Sequence, residues 1–274
     1  MSIDIKNLTE KQRAFFSTGN TLDIDFRINA LKKLKAVIKE NEGDILDALK
    51  WDLNKSPFEA YATEVGFVYN ELNDAIRNIR KWCKAKRART PMTQFKSTSY
   101  IVSEPYGVVL IMSPWNYPFQ LTVAPLIGAV AGGNCAVVKP SAYSPATSAV
   151  LRRILSCFEK EYIAVVEGGR EANQELLNEK FDYIFFTGSV QVGKTVMEKA
   201  ARNLTPVTLE LGGKSPCIVD RDVDIDLAAR RIIWGKIINS GQTCVAPDYV
   251  YVHKDVKDSL IGSMKRYITV FYGE

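Results

Sequence analysis

The stretch GVVLIMSPWNYPFQLTVAPLIGAVAGGNCAVVK, residues 107–139, decides the fold. It holds two β-rich apolar runs, at 107–112 and 135–139, on either side of a helical segment at 119–131. Residues 105–138 carry no charge, which at first suggests a membrane span. Pro114, Pro118 and Pro125, together with Asn116 and Gln120, interrupt it and leave no clean apolar span of about 20 residues. A buried strand followed by a buried helix fits better, and no membrane partner is expected. Toward the carboxyl terminus, β-rich runs recur at 162–166, 183–186 and 207–211, separated by helical runs at 145–158, 173–178 and 190–202. Strands alternating with helices of this length predict βαβ units and an α/β fold, its parallel sheet covered on both faces. A strand at 216–219, a helix at 225–239, a strand at 249–253 and a helical run at 256–272 follow.

Toward the amino terminus the period changes. Ile24, Ile28, Leu31, Leu34 and Ile38 recur at three- and four-residue steps, continued by Ile45, Leu46 and Leu49. Asp23 is placed to cap that helix, and residues 54–57 start the next segment. A second amphipathic run uses Val65, Val68, Leu72, Ile76 and Ile79. Residues 97–103 alternate enough to form an extended strand, suited to pairing between subunits. The first ninety residues read as packing scaffold without chemistry of their own.

Composition narrows the chemistry. The 274 residues are 46% hydrophobic and 24% charged, enough for two domains or one large one. The net charge of +5 is spread along the chain, and its densest patch, residues 81–89, reads as a solvated helix end, so no nucleic acid is expected. Cys83, Cys135, Cys157, Cys217 and Cys244 are scattered, with no CxxC, which fits a reducing cytoplasm rather than a disulfide framework. His253 is the only histidine, so a His-rich zinc site is excluded and a nucleophile must find its base in a carboxylate or lysine. Residues 1–9 are mixed polar, with Asp4 and Lys6, and do not read as a signal peptide.

Ligands of such sheets bind beyond the carboxyl ends of the strands. The residues there are Ser113 to Asn116, Lys139 to Ser141, Gly168 and Gly169, Thr187 to Ser189, and Glu210 to Gly213: polar, rich in glycine, and containing a lysine, an amide and a carboxylate. Within them GSVQVGKT, residues 188–195, matches the phosphate-loop pattern GxxxxGK[ST] letter for letter. The same residues can open a helix whose N-terminus faces the pyrophosphate of a dinucleotide, with Lys194 solvated and Thr195 incidental. Farther on, Cys244 follows Gly241-Gln242-Thr243 on a turn, whereas Cys135, Cys157 and Cys217 sit in apolar runs and read as structural thiols. Glu210 is the natural partner to activate a thiol or a water, and Asn116 could donate its amide to an oxyanion.

Five motifs taken in order resemble the NAD(P)-dependent aldehyde dehydrogenase superfamily, and its class 3 branch most closely. They are Pro114-Trp115-Asn116-Tyr117-Pro118, Val138-Lys139-Pro140-Ser141, Phe186-Thr187-Gly188-Ser189, Leu209-Glu210-Leu211-Gly212-Gly213-Lys214 and Gly241-Gln242-Thr243-Cys244. The resemblance implies a Rossmann-like sheet with flanking helices, an N-terminal helical segment, and the beginning of a second α/β catalytic domain. The expected divisions are 1–105 for helices and an extended strand packed on the cofactor domain, 106–211 for dinucleotide binding, and 212–274 for an incomplete catalytic domain. It also implies a chemistry. Cys244 attacks an aldehyde, and Asn116 with the Cys244 N–H stabilises the oxyanion. Hydride passes to NAD or NADP, and Glu210 activates the water that hydrolyses the thioester. Lys139 would bind the adenosine ribose, Gly188, Ser189 and Gly193 the pyrophosphate end, and Trp115, Thr187 and Leu211 the rest of the cofactor site. A homodimer is implied for the complete protein.

Two departures follow. Relatives often carry Glu where Ala142 stands, and losing that ribose-gripping carboxylate predicts that NADP is tolerated at least as well as NAD. Family members also continue well beyond the cysteine, so the chain reads as an amino-terminal fragment, of uncertain activity, that exposes apolar surface and associates.

Overall fold

The computed structural model describes residues 4–273, and capping residues set its amino-terminal helices. Helix α1 (Ile5–Ser17) starts where Asp4 accepts from the Asn7 N–H, and α2 (Ile24–Glu40) where Asp23 accepts from Asp25 and Phe26. Asn41 breaks the expected continuous helix, so Ile45 and Leu49 pack from a separate α3 (Glu42–Leu53). The left-handed Asn54 ends α3, and Ser56 with Pro57 opens α4 (Pro57–Ala60). A π-helical turn, Tyr61–Val65, leads into α5 (Gly66–Trp82), which buries Val68, Leu72 and Ile79. The helix stops there. Residues 81–89 are therefore only partly a helix end, because Lys86–Ala88 forms strand β1 and pairs antiparallel with β2 (Ser99–Ile101). The extended segment expected at 97–103 is shorter and takes its partner from its own chain.

The sheet that carries the site follows. Strand β3 (Val108–Met112) leads through α6 (Gln120–Ala131) to β4 (Cys135–Lys139), and α7 (Pro145–Leu155) leads to β5 (Ile163–Val165). Then come α8 (Arg170–Asn178), β6 (Tyr183–Gly188), α9 (Val190–Ala201) and β7 (Val207–Leu211). The strand order is β5-β4-β3-β6-β7, with β3 parallel to β4 and β6, and β4 parallel to β5. Every residue of β3 and β4 is buried, because helices cover both faces. Each fully buried aliphatic side chain there contributes roughly 1.5–3 kcal/mol.

Two long-range polar contacts tie the helices to one another. Ser144 makes no side-chain cap for α7; instead Asp52 of α3 accepts from the Ala146 and Thr147 N–H groups and the Thr147 hydroxyl. Arg27 of α2 is buried and donates to the carbonyls of Thr21, Leu22 and Ala131, the last at the end of α6. Its guanidinium crosses Gly133, which has φ +84 and where a Cβ would lie 2.6 Å from Arg27 Cζ.

The chain divides into two compact units, Met1–Glu210 and Leu211–Glu274. In the second, β8 (Ser215–Val219) and β9 (Pro247–Val252) pair in parallel, joined through α10 (Ile225–Ile237), and α11 (Lys257–Tyr272) follows. Asp224 caps α10 through the Leu227 N–H, and Val219, Ala229, Ile232 and Leu260 form a small core. Ile218 and Tyr251 remain 76% and 65% exposed.

Gly133→Ala is expected to lower stability by about 1–3 kcal/mol through backbone strain and the displaced guanidinium. Urea unfolding measures this, and an unchanged midpoint would mean that Arg27 yields without cost.

Candidate active site

The loop after β3 carries Asn116, and its shape is set by residues that the sequence pattern leaves in the scaffold. Lys55 and Glu64 are 2% and 0% exposed and pair at 2.5 Å. Glu64 Oε2 also accepts the N–H groups of Phe119 at 2.9 Å and Gln120 at 3.1 Å, at the mouth of α6. Lys55 Nζ donates to the Asn116 carbonyl at 3.2 Å and lies 4.2 Å from the Tyr117 ring centroid. Burial pushes the Glu64 carboxyl up and the Lys55 ammonium down, while each charge pulls the other back. Glu64 sits in the π-helical turn, a local distortion that recurs at functional sites. Asn116 itself is half-buried, and Trp115 beside it is 41% exposed.

Lys139 closes β4 with 4% exposure, and its Nζ donates to the Pro140 carbonyl at 2.7 Å. Burial draws its ammonium down to about 8, opposed by the charge of Glu167. The Ser113 N–H donates to the Lys139 carbonyl, tying the ends of β3 and β4. Two hydroxyl oxygens, Ser113 Oγ after β3 and Thr187 Oγ1 near the end of neighbouring β6, are buried without a hydrogen-bond partner. Buried polar atoms of this kind normally have partners, so a ligand with polar groups suits the crevice between them.

The phosphate-loop pattern resolves into a helix start. Ser189 caps α9 by accepting from Val192, and residues 190–195 are helical, so no loop is left to cradle a triphosphate. Lys194 and Thr195 are exposed on that helix. The first-turn N–H groups of α9 and the dipole still suit a pyrophosphate beside Gly188 and Ser189. A side chain at 188 would collide with the Phe186 ring, 2.5 Å from the Cβ position. Gly193 is buried inside α9, one turn on, and its N–H donates to the Ser189 carbonyl. Glu210 is exposed near the end of β7, and Leu211 closes that strand.

In the second unit, Cys244 follows a turn of unusual backbone. Asn239, Ser240 and Gly241 have φ of 52, 53 and 78°, three consecutive residues in the left-handed region. Asn239 is buried; its carbonyl accepts the Gln242 Nε2 at 2.9 Å, and its own amide reaches the Gln242 carbonyl at 3.4 Å. Such non-glycine strain costs of order 1–3 kcal/mol per residue and clusters at functional sites. Of the five cysteines Cys244 is the exposed one; Cys135 is buried, which pushes its thiol up to about 12. Among the described residues no group of three or more His, Cys, Asp or Glu is placed to hold a metal ion, and no helix is long and apolar enough to cross a membrane.

Known proteins resemble the chain over nearly its whole length. The model of the aldehyde dehydrogenase family matches residues 2–271. The 4,4'-diaponeurosporen-aldehyde dehydrogenase of Staphylococcus aureus is 51% identical over 263 residues, 96% of this chain and 57% of that protein. The dimeric NADP-preferring aldehyde dehydrogenase of Canis lupus familiaris is 44% identical over 272 residues, covering 98% and 60%. Among solved structures, the substrate-bound Staphylococcus aureus AldH superposes with a TM-score of 0.97 at 49% identity, covering 100% of this chain and 60% of that one. A Mycobacterium tuberculosis aldehyde dehydrogenase complexed with NAD+ reaches 0.85 at 26% identity, covering 95% and 54%. The chain thus spans between half and two thirds of the length of these relatives.

Removing one partner of the buried pair, by Lys55→Met or Glu64→Leu, is expected to cost about 3–5 kcal/mol, because the other charge stays buried and alone. The double substitution should cost less than the two single losses added together, a coupling that denaturant midpoints of the three variants will reveal or refute.

Proposed function

Because the chain belongs to the aldehyde dehydrogenase family, we propose that it supplies the cofactor-binding part and the nucleophile of an enzyme that oxidises an aldehyde to a carboxylic acid with NAD or NADP. What carries the reading is Cys244, an exposed thiol following a strained turn, in a chain whose parallel sheet ends in buried, unpartnered hydroxyls. The thiolate of Cys244 attacks the aldehyde carbon and forms a thiohemiacetal. The Asn116 amide and the Cys244 backbone N–H donate to the oxyanion, a role in which one donor is worth about 10²–10³ in kcat. The loop held by Lys55 and Glu64 keeps Asn116 from having to reorganise as charge develops.

Lys139 would hold the adenosine ribose, Gly188, Ser189 and Gly193 the pyrophosphate end at the start of α9, and Trp115, Thr187 and Leu211 the remaining walls. When bound, the dinucleotide supplies the hydride acceptor for the oxidation. Glu210 then takes a proton from water, whose oxygen attacks the thioester carbon, releasing the acid and restoring the thiol. A homodimer and a cytoplasmic setting belong to the same reading; Tyr100, Ile101 and Val102, 59%, 63% and 59% exposed, suit pairing between copies.

The test mixes the purified chain with NAD, NADP or ATP–Mg²⁺, adds aldehyde, and follows the absorbance of reduced cofactor. Reduction that disappears in Cys244→Ser and drops about 10²–10³-fold in Asn116→Ala supports the reading. ATP binding without dinucleotide binding would sink it; dinucleotide binding without turnover restricts the chain to a cofactor module. A second check needs no turnover: iodoacetamide should label Cys244 well ahead of Cys135, as read by peptide mass spectrometry.

A further inference from the structure

Three charged side chains gather at the carboxyl ends of β4 and β5. Val138 is in register with Val165, and the Val166 N–H donates to the Val138 carbonyl at 2.9 Å. Residue 167 therefore leaves the sheet beside Lys139. There the Glu167 side chain keeps 37% exposure, and its Oε2 lies 2.6 Å from Arg152 Nε on α7, the helix that follows the Lys139 loop. Gly168, at φ +135, turns the backbone away immediately afterward; a Cβ there would lie 2.8 Å from Ala172. The carboxylate is thus held at the rim of the crevice, between a buried lysine and an exposed arginine.

Ala142 suggests from sequence that the ribose site lacks a carboxylate and accepts NADP. The fold brings one in from the next strand. We propose that Glu167 is the residue that recognises the adenosine ribose and makes this chain prefer NAD over NADP. The inference rests on the dinucleotide reading of the crevice given above. A free 2′-hydroxyl can donate to the carboxylate, whereas a 2′-phosphate meets it with like charge. Pairing with Glu167 also occupies Arg152, the nearby guanidinium that would otherwise receive the phosphate in a bidentate grip. The Glu167 charge has a second effect, since it opposes the downward pull of burial on Lys139 and keeps that ammonium available to ribose hydroxyls.

Calorimetric titration of the full chain with NAD and with NADP tests this without any need for turnover. The parent chain should bind NAD more tightly by about tenfold or more, the scale of one unfavourable charge contact. Glu167→Gln, which keeps the shape and removes the charge, should bring the two affinities together mainly by strengthening NADP; Glu167→Lys should reverse their order. Arg152→Met leaves the carboxylate uncompensated and should widen the NAD preference. Equal or tighter NADP binding by the parent, or a ratio unmoved in Glu167→Gln, would overturn the assignment. A parent that binds neither dinucleotide would instead remove the cofactor reading itself, and this inference with it.

Discussion

An ion pair with almost no access to water, Lys55 with Glu64, is the contact on which the arrangement of the first unit turns. Burying two charges carries a desolvation cost of several kcal/mol per ion, which their mutual attraction offsets only when the remaining donors and acceptors are also satisfied. Here they are, since Glu64 receives two backbone N–H groups of the α6 entrance and Lys55 reaches the Asn116 carbonyl and the Tyr117 ring. The pair therefore does more than join helices. It converts a proline-interrupted loop into a defined frame, so the Asn116 amide is presented from a backbone already held on one side. A salt bridge on the surface would not impose such order, because water and solvent ions would compete for each group.

The same economy of charge governs the crevice. The strands β3 and β4 are wholly buried, and Lys139, Glu167 and Arg152 bring charge to the carboxyl ends of β4 and β5. A helix N-terminus contributes positive potential without a side chain, and the glycine at 188 leaves room for the Phe186 ring. In the proposed dinucleotide reading, attraction for a pyrophosphate at α9 would coexist with the Glu167 carboxylate, because the two would act on different parts of the same ligand.

The sheet was legible in the sequence because buried parallel strands are continuous apolar runs, and β4 and β7 begin and end at the residues where those runs do. Capping residues made some helix starts equally plain, as Asp23 illustrates. What escaped notice depends on distant partners. Lys55 and Glu64 are ordinary polar residues until the chain returns 55 to 61 positions later with Phe119 and Asn116. The position of Glu167 beside Lys139 likewise depends on adjacency across strands, which the linear sequence does not display. The phosphate-loop letters admit two readings from sequence, and a local feature separates them. Ser189 is a good cap, and a capped helix consumes the residues that such a loop would need. Asn239 shows the converse, a residue whose tolerance of left-handed backbone was visible in its type but whose burial was not.

One contact of the first helix has a bearing on how the chain reaches its structure. Gln12 donates from α1 to the carbonyls of Ala136 and Lys160, partners 124 and 148 positions away. The helix is synthesised before either of these carbonyls, which exist only once β4 and the approach to β5 have been made. Its amphipathic stripe must wait through that interval, and closing so long a loop is entropically slow compared with the local βαβ steps. The anchoring of α1 through Gln12 is therefore among the later contacts to form, although the helix precedes the sheet in the chain.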